Sequence, residues 1–186
     1  MNTIINIIMV LWGLSEIYLL LRMRSGSADA KGKDQKSLSR LWLVIGFSIF
    51  FGIFVAKATG FPFYQREGIQ LVGVVFLFLG VVFRLMVINN LGKYFTVDVT
   101  IREDHQLITN GFYKYVRHPS YFFSLLTFLG LAIVLNNYIS AVILVVPVFL
   151  MFLYRIKIEE RVLTERFGKE YTDYMKKTKK LIPFIY

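Results

Sequence analysis

Four stretches of the chain are apolar over windows of about 20 residues, the length a helix needs to cross a hydrocarbon core. They are Asn2 to Leu21, Leu41 to Ala56, Ile69 to Ile88 and Tyr121 to Met151. The last is too long for one crossing. A polar turn at Asn136, Asn137 and Tyr138 divides it into Pro119 to Leu135 and Ile139 to Tyr154. The pattern predicts an all-α integral membrane protein with five transmembrane helices. The first span is expected to be retained, because no positive region precedes it and no small-residue cleavage site follows it.

Composition agrees with that pattern. Of 186 residues, 56% are hydrophobic, more than a soluble domain of this size buries around one core. There is no cysteine, and the two histidines stand far apart. Disulfides, a thiolate nucleophile and a zinc motif are therefore excluded, and no metal is expected. The formal charge of +10 raises nucleic acid as a partner. The basic residues sit beside apolar spans, however, where anionic lipid and the topology rule account for them.

The same residues orient the chain. Arg22, Arg24, Lys31, Lys33, Lys36 and Arg40 follow the first span, and Lys93, Arg102, Lys114 and Arg117 lie between the third and fourth. The opposite connections carry only Lys57 and Arg66. The N-terminus is then expected outside, with the C-terminus and both long polar segments after residue 90 in the cytoplasm. We divide the chain into residues 1–92, three N-terminal helices, and residues 93–186, a half with two spans and a cytosolic C-terminal helix in which whatever chemistry exists should lie. Ser25 to Ser39 reads as a flexible connection.

Three sets of residues stand out chemically. Proline disfavours the helical region for the residue before it and suits the first helical position, so a helix is expected to begin at Pro119 with His118 as its cap. The amides of Ser120 and Tyr121 would then lack intrahelical partners and form a place where a small anionic group docks. The plainer reading is a helix cap anchored by the interfacial aromatics Tyr113, Tyr115 and Tyr121.

The second set lies after the fifth span, where Arg155, Glu159, Leu163, Phe167 and Tyr171 recur at intervals of four and Tyr174 continues the stripe. This face should pack against something, which puts Arg155 and Glu159 on a buried side. The alternative is a solvated ion pair one helical turn apart. Glu160 lies about 100° round the helix and is the weaker candidate. The third set is Glu16 and Arg84, ionisable residues inside spans at similar depth, expected to meet each other or to wall a pocket.

The segments DHQLITNGFYKYVRHPSYFF and RIKIEERVLTERFGKEYTDYMKK, with the closing LIPF, together resemble the isoprenylcysteine carboxyl methyltransferase family over about Tyr94 to Tyr186. Members are membrane enzymes that use S-adenosylmethionine to methylate the C-terminal carboxylate of a prenylated cysteine. The resemblance implies that His105, Gln106, Leu107, Ile108 and Tyr113 line the cofactor, with His118, Pro119, Ser120 and Tyr121. It implies that Glu159 completes the cofactor site and that Arg155 faces the acceptor, a prenylated carboxylate entering from the bilayer. Two departures stand beside it. Phe123 occupies a position where members often have glycine, and a cofactor-contacting glutamine has no clear counterpart near Asp98 to Thr100.

The chemistry suits these residues. A carboxylate is already ionised at neutral pH, so methyl transfer to it needs positioning rather than a general base. A guanidinium fork fits two carboxylate oxygens. Three other functions remain open: methylation of a phospholipid amine, which would need a base, a membrane sterol-type reductase, and a lipid-binding protein without catalysis.

Overall fold

The computed structural model describes residues 2–23, 34, 36–65, 68–101 and 104–186. Arg24, Lys31, Lys33, Arg66 and Arg102 of the orientation argument, and most of the Ser25 to Ser39 connection, lie outside the described residues. The helices are α1 (Asn2–Arg22), α2 (Ser37–Ala58), α3 (Ile69–Leu91), α4 (Pro119–Leu135), α5 (Tyr138–Phe167) and α6 (Lys169–Lys177). Two 3-10 turns, Gly92–Tyr94 and Gly111–Lys114, lie between α3 and α4. The described residues contain no strand, only an isolated parallel bridge between Val116 and Lys179.

Four helices, α1, α2, α3 and α5, are long and apolar enough to cross a membrane, and α4 is a shorter apolar helix of 17 residues. The fourth of the five expected helices is thus shorter than the others, about 25 Å by helical rise. Its ends are fixed as the sequence suggests. Pro119 opens it, and Asn136 closes it in the left-handed region at φ 47°. The Asn136 side chain accepts from the amides of Phe63 and Tyr64, both at 3.2 Å. Asn137 caps α5 by accepting from the Ser140 amide at 3.0 Å.

Helices α3 and α4 form the most extensive contact in the molecule, and glycine makes it possible. A Cβ on Gly80 would collide with Thr127, and one on Gly130 with the Leu77 amide; on Gly73 it would stand 2.8 Å from the Gly130 carbonyl oxygen. Small residues at such a seam let two backbones approach where lipid gives no hydrophobic drive. Helix α2 meets α5 similarly, with Ser140 Oγ donating to the Gly52 carbonyl at 2.7 Å. The core joining these pairs holds Trp12, Leu41, Leu77, Phe128, Leu144 and Phe152.

The stripe after Tyr154 needs a correction. It does not run along one helix through Tyr174. Helix α5 continues unbroken from the apolar span to Phe167, and Gly168, at φ 54°, turns the chain into α6. Arg155, Glu159, Leu163 and Phe167 share α5, whereas Tyr171 and Tyr174 come back toward it from α6.

Candidate active site

The chain after the second 3-10 turn runs extended into α4, and the C-terminal tail lies parallel to it. Arg117 N donates to the Lys179 carbonyl at 2.9 Å, His118 N to the Lys180 carbonyl at 3.1 Å, and Lys179 N to the Tyr115 carbonyl at 3.0 Å. Leu181 is fully buried behind this pairing. The Arg117 guanidinium donates from Nη1 to the carbonyls of Met175 and Thr178 at the end of α6, at 3.0 and 2.6 Å. Its Nε donates to Glu160 Oε1 at 2.8 Å. His118 is buried between α4 and α5, with Nε2 3.3 Å from Glu160 Oε1 and Nδ1 3.6 Å from Glu159 Oε2. One carboxylate of the Glu159-Glu160 pair thus frames the site, and the other faces inward.

Inside this frame is an open cavity of about 140 Å³. Every helix contributes to its wall. Of the residues expected at the site, His105, Leu107, Ile108, Tyr113, His118, Ser120, Tyr121, Arg155 and Glu159 line it. Gln106 is exposed and Pro119 is buried as the first residue of α4, and neither is on the wall. Phe123 is also off the wall; its ring stacks on Phe83 at 5.2 Å and meets Phe112 at 5.6 Å. Asp98 to Thr100, to which no role was carried over, do line the cavity.

Arg155 and Glu159 do not form the simple pair that their spacing allows. The Tyr121 hydroxyl stands between them, receiving Arg155 Nε at 3.2 Å and donating to Glu159 Oε2 at 3.2 Å. The rest of the Arg155 guanidinium is held by distant segments. Nη1 donates to Ser37 Oγ at 2.9 Å and to Asp34 Oδ1 at 3.3 Å, and Nη2 to the Val97 carbonyl at 2.7 Å. Asp34 also accepts from the amides of Leu38 and Val99 at 3.0 and 2.9 Å. It therefore ties the start of α2 to the 95–101 segment and to α5. Glu159 keeps about a third of its side chain exposed.

The intramembrane pair forms as expected: Arg84 Nη1 contacts Glu16 Oε1, which also accepts from Trp12 Nε1 at 3.1 Å. Glu16 and Arg84 line the same cavity, so the contact and pocket-wall readings both hold. At the other end, burial first and the Glu159 charge next push the Tyr113 phenol well up. Burial and then the Glu160 and Glu159 charges do the same to Tyr171. Burial raises Tyr174 against the opposing effect of Arg117. All three stay protonated, and Tyr174 Oη donates to the Tyr113 carbonyl at 2.6 Å.

Sequence reasoning did not single out Arg117, and it gave Glu160, which pairs with Arg117 and His118 off the cavity wall, less weight than Glu159, which lines the wall. Each is adjacent to a residue it did single out, and a doubled carboxylate opposite an Arg-His dipeptide was the available signal. Asp34 and Ser37 carried no signal, because their partner lies more than a hundred positions away.

Fold and site together define a polytopic helical membrane protein with a chamber of mixed polar and apolar lining, built jointly by its helices and its long polar connections. The sequence model of the isoprenylcysteine carboxyl methyltransferase family matches residues 71–165. Protein-S-isoprenylcysteine O-methyltransferase B of Arabidopsis thaliana is 35% identical over 71% of this chain and 68% of its own length. The Dictyostelium discoideum protein-S-isoprenylcysteine O-methyltransferase is 35% identical over 68% of this chain and 54% of its own length. A solved structure of the eukaryotic intramembrane Ras methyltransferase, an isoprenylcysteine carboxyl methyltransferase, superposes with a TM-score of 0.60 at 29% identity. That match covers 81% of this chain and 52% of the solved one. The chain belongs to the isoprenylcysteine carboxyl methyltransferase family, and it spans about half to two thirds of the length of these relatives.

Proposed function

We propose that this protein transfers a methyl group from S-adenosylmethionine to the carboxylate of a prenylated cysteine or a similar prenyl thioether. The observation that carries the reading is the Tyr121 hydroxyl bridging Glu159 and Arg155 in a chamber whose wall is part polar and part apolar. The relatives named above are methyltransferases of isoprenylcysteine, which supports the same substrate class here.

The residues present fit the cofactor. Glu159 turns toward the chamber with only Oε2 engaged among the described residues, leaving an acceptor for an ammonium or for ribose hydroxyls. Tyr171 lines the wall, and its buried Oη has no hydrogen-bond partner among the described residues. The α4 N-terminus at Ser120 suits a carboxylate, and His105, Leu107, Ile108 and Tyr113 offer a mixed apolar and aromatic wall. When bound, S-adenosylmethionine supplies a methyl on a sulfonium sulfur, which keeps the C–S electron pair as the carboxylate oxygen takes the carbon.

The chain's own work is positioning. No residue needs to remove a proton, because the acceptor arrives ionised. Glu159 and His118 hold the cofactor end, while Arg155 acts on the acceptor's side through its charge and through the Tyr121 hydroxyl it orients. Holding the reactants in line and excluding water is the main source of rate in such a displacement. The apolar walls from Trp12, Leu41, Ile45, Phe128 and Phe152 would take the prenyl tail from the bilayer. In this reading the N-terminus is outside, the chamber opens to the cytoplasm, and residues 93–186 hold the cofactor while residues 1–92 complete the acceptor path.

The test is transfer of labelled methyl from S-adenosylmethionine, by the full chain in detergent, to a panel of prenylated carboxylates, phospholipid amines and unprenylated acids. Labelling of the prenylated carboxylates alone is expected. Preferential labelling of amines, or no labelling of any member, contradicts the reading.

A further inference from the structure

Arg155 and Glu159 stand one helical turn apart on α5, the spacing at which opposite charges on a helix pair directly. They do not pair. The ion-pair partner of Arg155 is Asp34, with Nη1 3.3 Å from Oδ1, and the Tyr121 hydroxyl lies between Arg155 and Glu159. The Arg155 side chain is only 3% exposed, and a guanidinium so buried is costly without a counter-charge. Of the two carboxylates in its neighbourhood, the fold gives it the one that is 121 positions away in sequence.

Asp34 is fixed independently of Arg155. Its Oδ2 accepts from the Leu38 amide at 3.0 Å, and its Oδ1 from Ser37 Oγ at 2.8 Å and the Val99 amide at 2.9 Å. The guanidinium is drawn the same way by Ser37 Oγ, which accepts from Nη1 at 2.9 Å, and by the Val97 carbonyl, which accepts from Nη2 at 2.7 Å. Glu159 is held far more lightly. Its side chain is 34% exposed, and among the described residues only Oε2 is engaged, by the Tyr121 hydroxyl at 3.2 Å and His118 Nδ1 at 3.6 Å. Glu159 is open to a ligand because Arg155 is occupied elsewhere.

We propose that Asp34 is a positioning residue for the cofactor site: by pairing with Arg155 it keeps the guanidinium off Glu159 and leaves that carboxylate for the cofactor. The assignment rests on the reading above in which Glu159 holds S-adenosylmethionine. Asp34 itself touches neither reactant. Its effect passes from the start of α2 to Arg155 on α5, and from there through the Tyr121 hydroxyl on α4 to Glu159. Without the Asp34 charge, Arg155 turns from a held group into a competitor. The nearest remaining carboxylate along its own helix is Glu159, and a charge-assisted bond between the two would have to be displaced by the cofactor's ammonium or ribose hydroxyls.

The test is calorimetric titration of S-adenosylmethionine into the full chain in detergent, as the parent, Asp34→Asn, Arg155→Met and the double variant. Asparagine keeps the size of the side chain and an oxygen for the Leu38 or Val99 amide, so the change removes charge above all. Asp34→Asn should bind about tenfold more weakly than the parent. In the Arg155→Met background the same substitution should change affinity by less than about twofold, because no guanidinium remains to be restrained. A purely structural role for Asp34 would leave the loss intact in both backgrounds. Ser37→Ala, which removes one acceptor of Arg155 Nη1 and keeps every charge, repeats the comparison with a gentler change. It should weaken binding by about threefold, again only where Arg155 is present. Parental affinity in both Asp34→Asn and Ser37→Ala would overturn the proposal, as would losses that persist undiminished in the Arg155→Met background. A parent that binds no cofactor, or parental affinity in Glu159→Gln, would instead remove the reading of Glu159 beneath it, and the proposal with it.

Discussion

The α3–α4 seam and the chamber are neighbours built on opposite rules. At the seam, Gly73, Gly80 and Gly130 remove side chains so that two backbones meet, and the glycine positions leave no room for a Cβ. Around the chamber, long polar side chains stand among apolar ones, and several reach partners more than thirty residues away. Among the described residues, no seam side chain has a buried polar atom without a partner, whereas Trp42, Arg84 and Tyr171 of the chamber wall each have one. Close packing in a membrane protein can be set by what is missing from a sequence; a ligand site is set by polar groups that the fold deliberately leaves incomplete.

The chamber's frame is the place where one change should cost most. Glu160→Ala leaves Arg117 buried at 8% side-chain exposure without its carboxylate. Removing one partner of a buried pair costs about 3–5 kcal/mol, read as a lowered thermal midpoint, and the tail and α6 should become open to protease because Arg117 anchors both. An unchanged midpoint would show that the frame is a solvated network.

At the seam, Gly80→Val should cost about 1–3 kcal/mol by overpacking, since the new carbons meet Thr127 and the backbone beside it. Its effect should be on thermal stability, with cofactor affinity retained in the surviving folded fraction. Selective loss of cofactor binding at unchanged stability would mean that the seam and chamber are not separate regions.

The smallest effect expected is a pH dependence. Tyr113, Tyr171 and Tyr174 all have folded-state values raised above the ordinary 10.0. Below pH 10.0 their protons are bound in both folded and unfolded chains, so they contribute no slope. Above it the unfolded chain releases protons that the folded chain retains, and stability falls as pH rises. Urea unfolding of the detergent-solubilised protein between pH 9 and pH 11 should show that fall, reduced in Tyr171→Phe. A flat profile would place these phenols in contact with water.

Much of the scaffold was legible in sequence. Apolar runs of membrane length are one-dimensional signals, and proline after His118 marked the start of α4 at the observed residue. Glu16 and Arg84 could be paired because rise per residue gives depth on helices whose entry sides the charge pattern predicts. The course after Tyr154 was less legible. Gly168 was present in the sequence, but a four-residue stripe that resumes at Tyr171 hid the turn. The partners of Arg155 were beyond reach for a different reason. Ser37, Asp34 and Val97 approach it through tertiary folding, and no local pattern encodes such a contact.

The central claim is that Glu159 holds a methyl-donor cofactor in this chamber. Calorimetric titration of S-adenosylmethionine into the full chain and into Glu159→Gln tests it most directly. The parent should bind at a single site, and the variant, which keeps the size of the side chain but loses its charge, should bind at least about tenfold more weakly. Equal affinities, or no binding to the parent, would contradict the account.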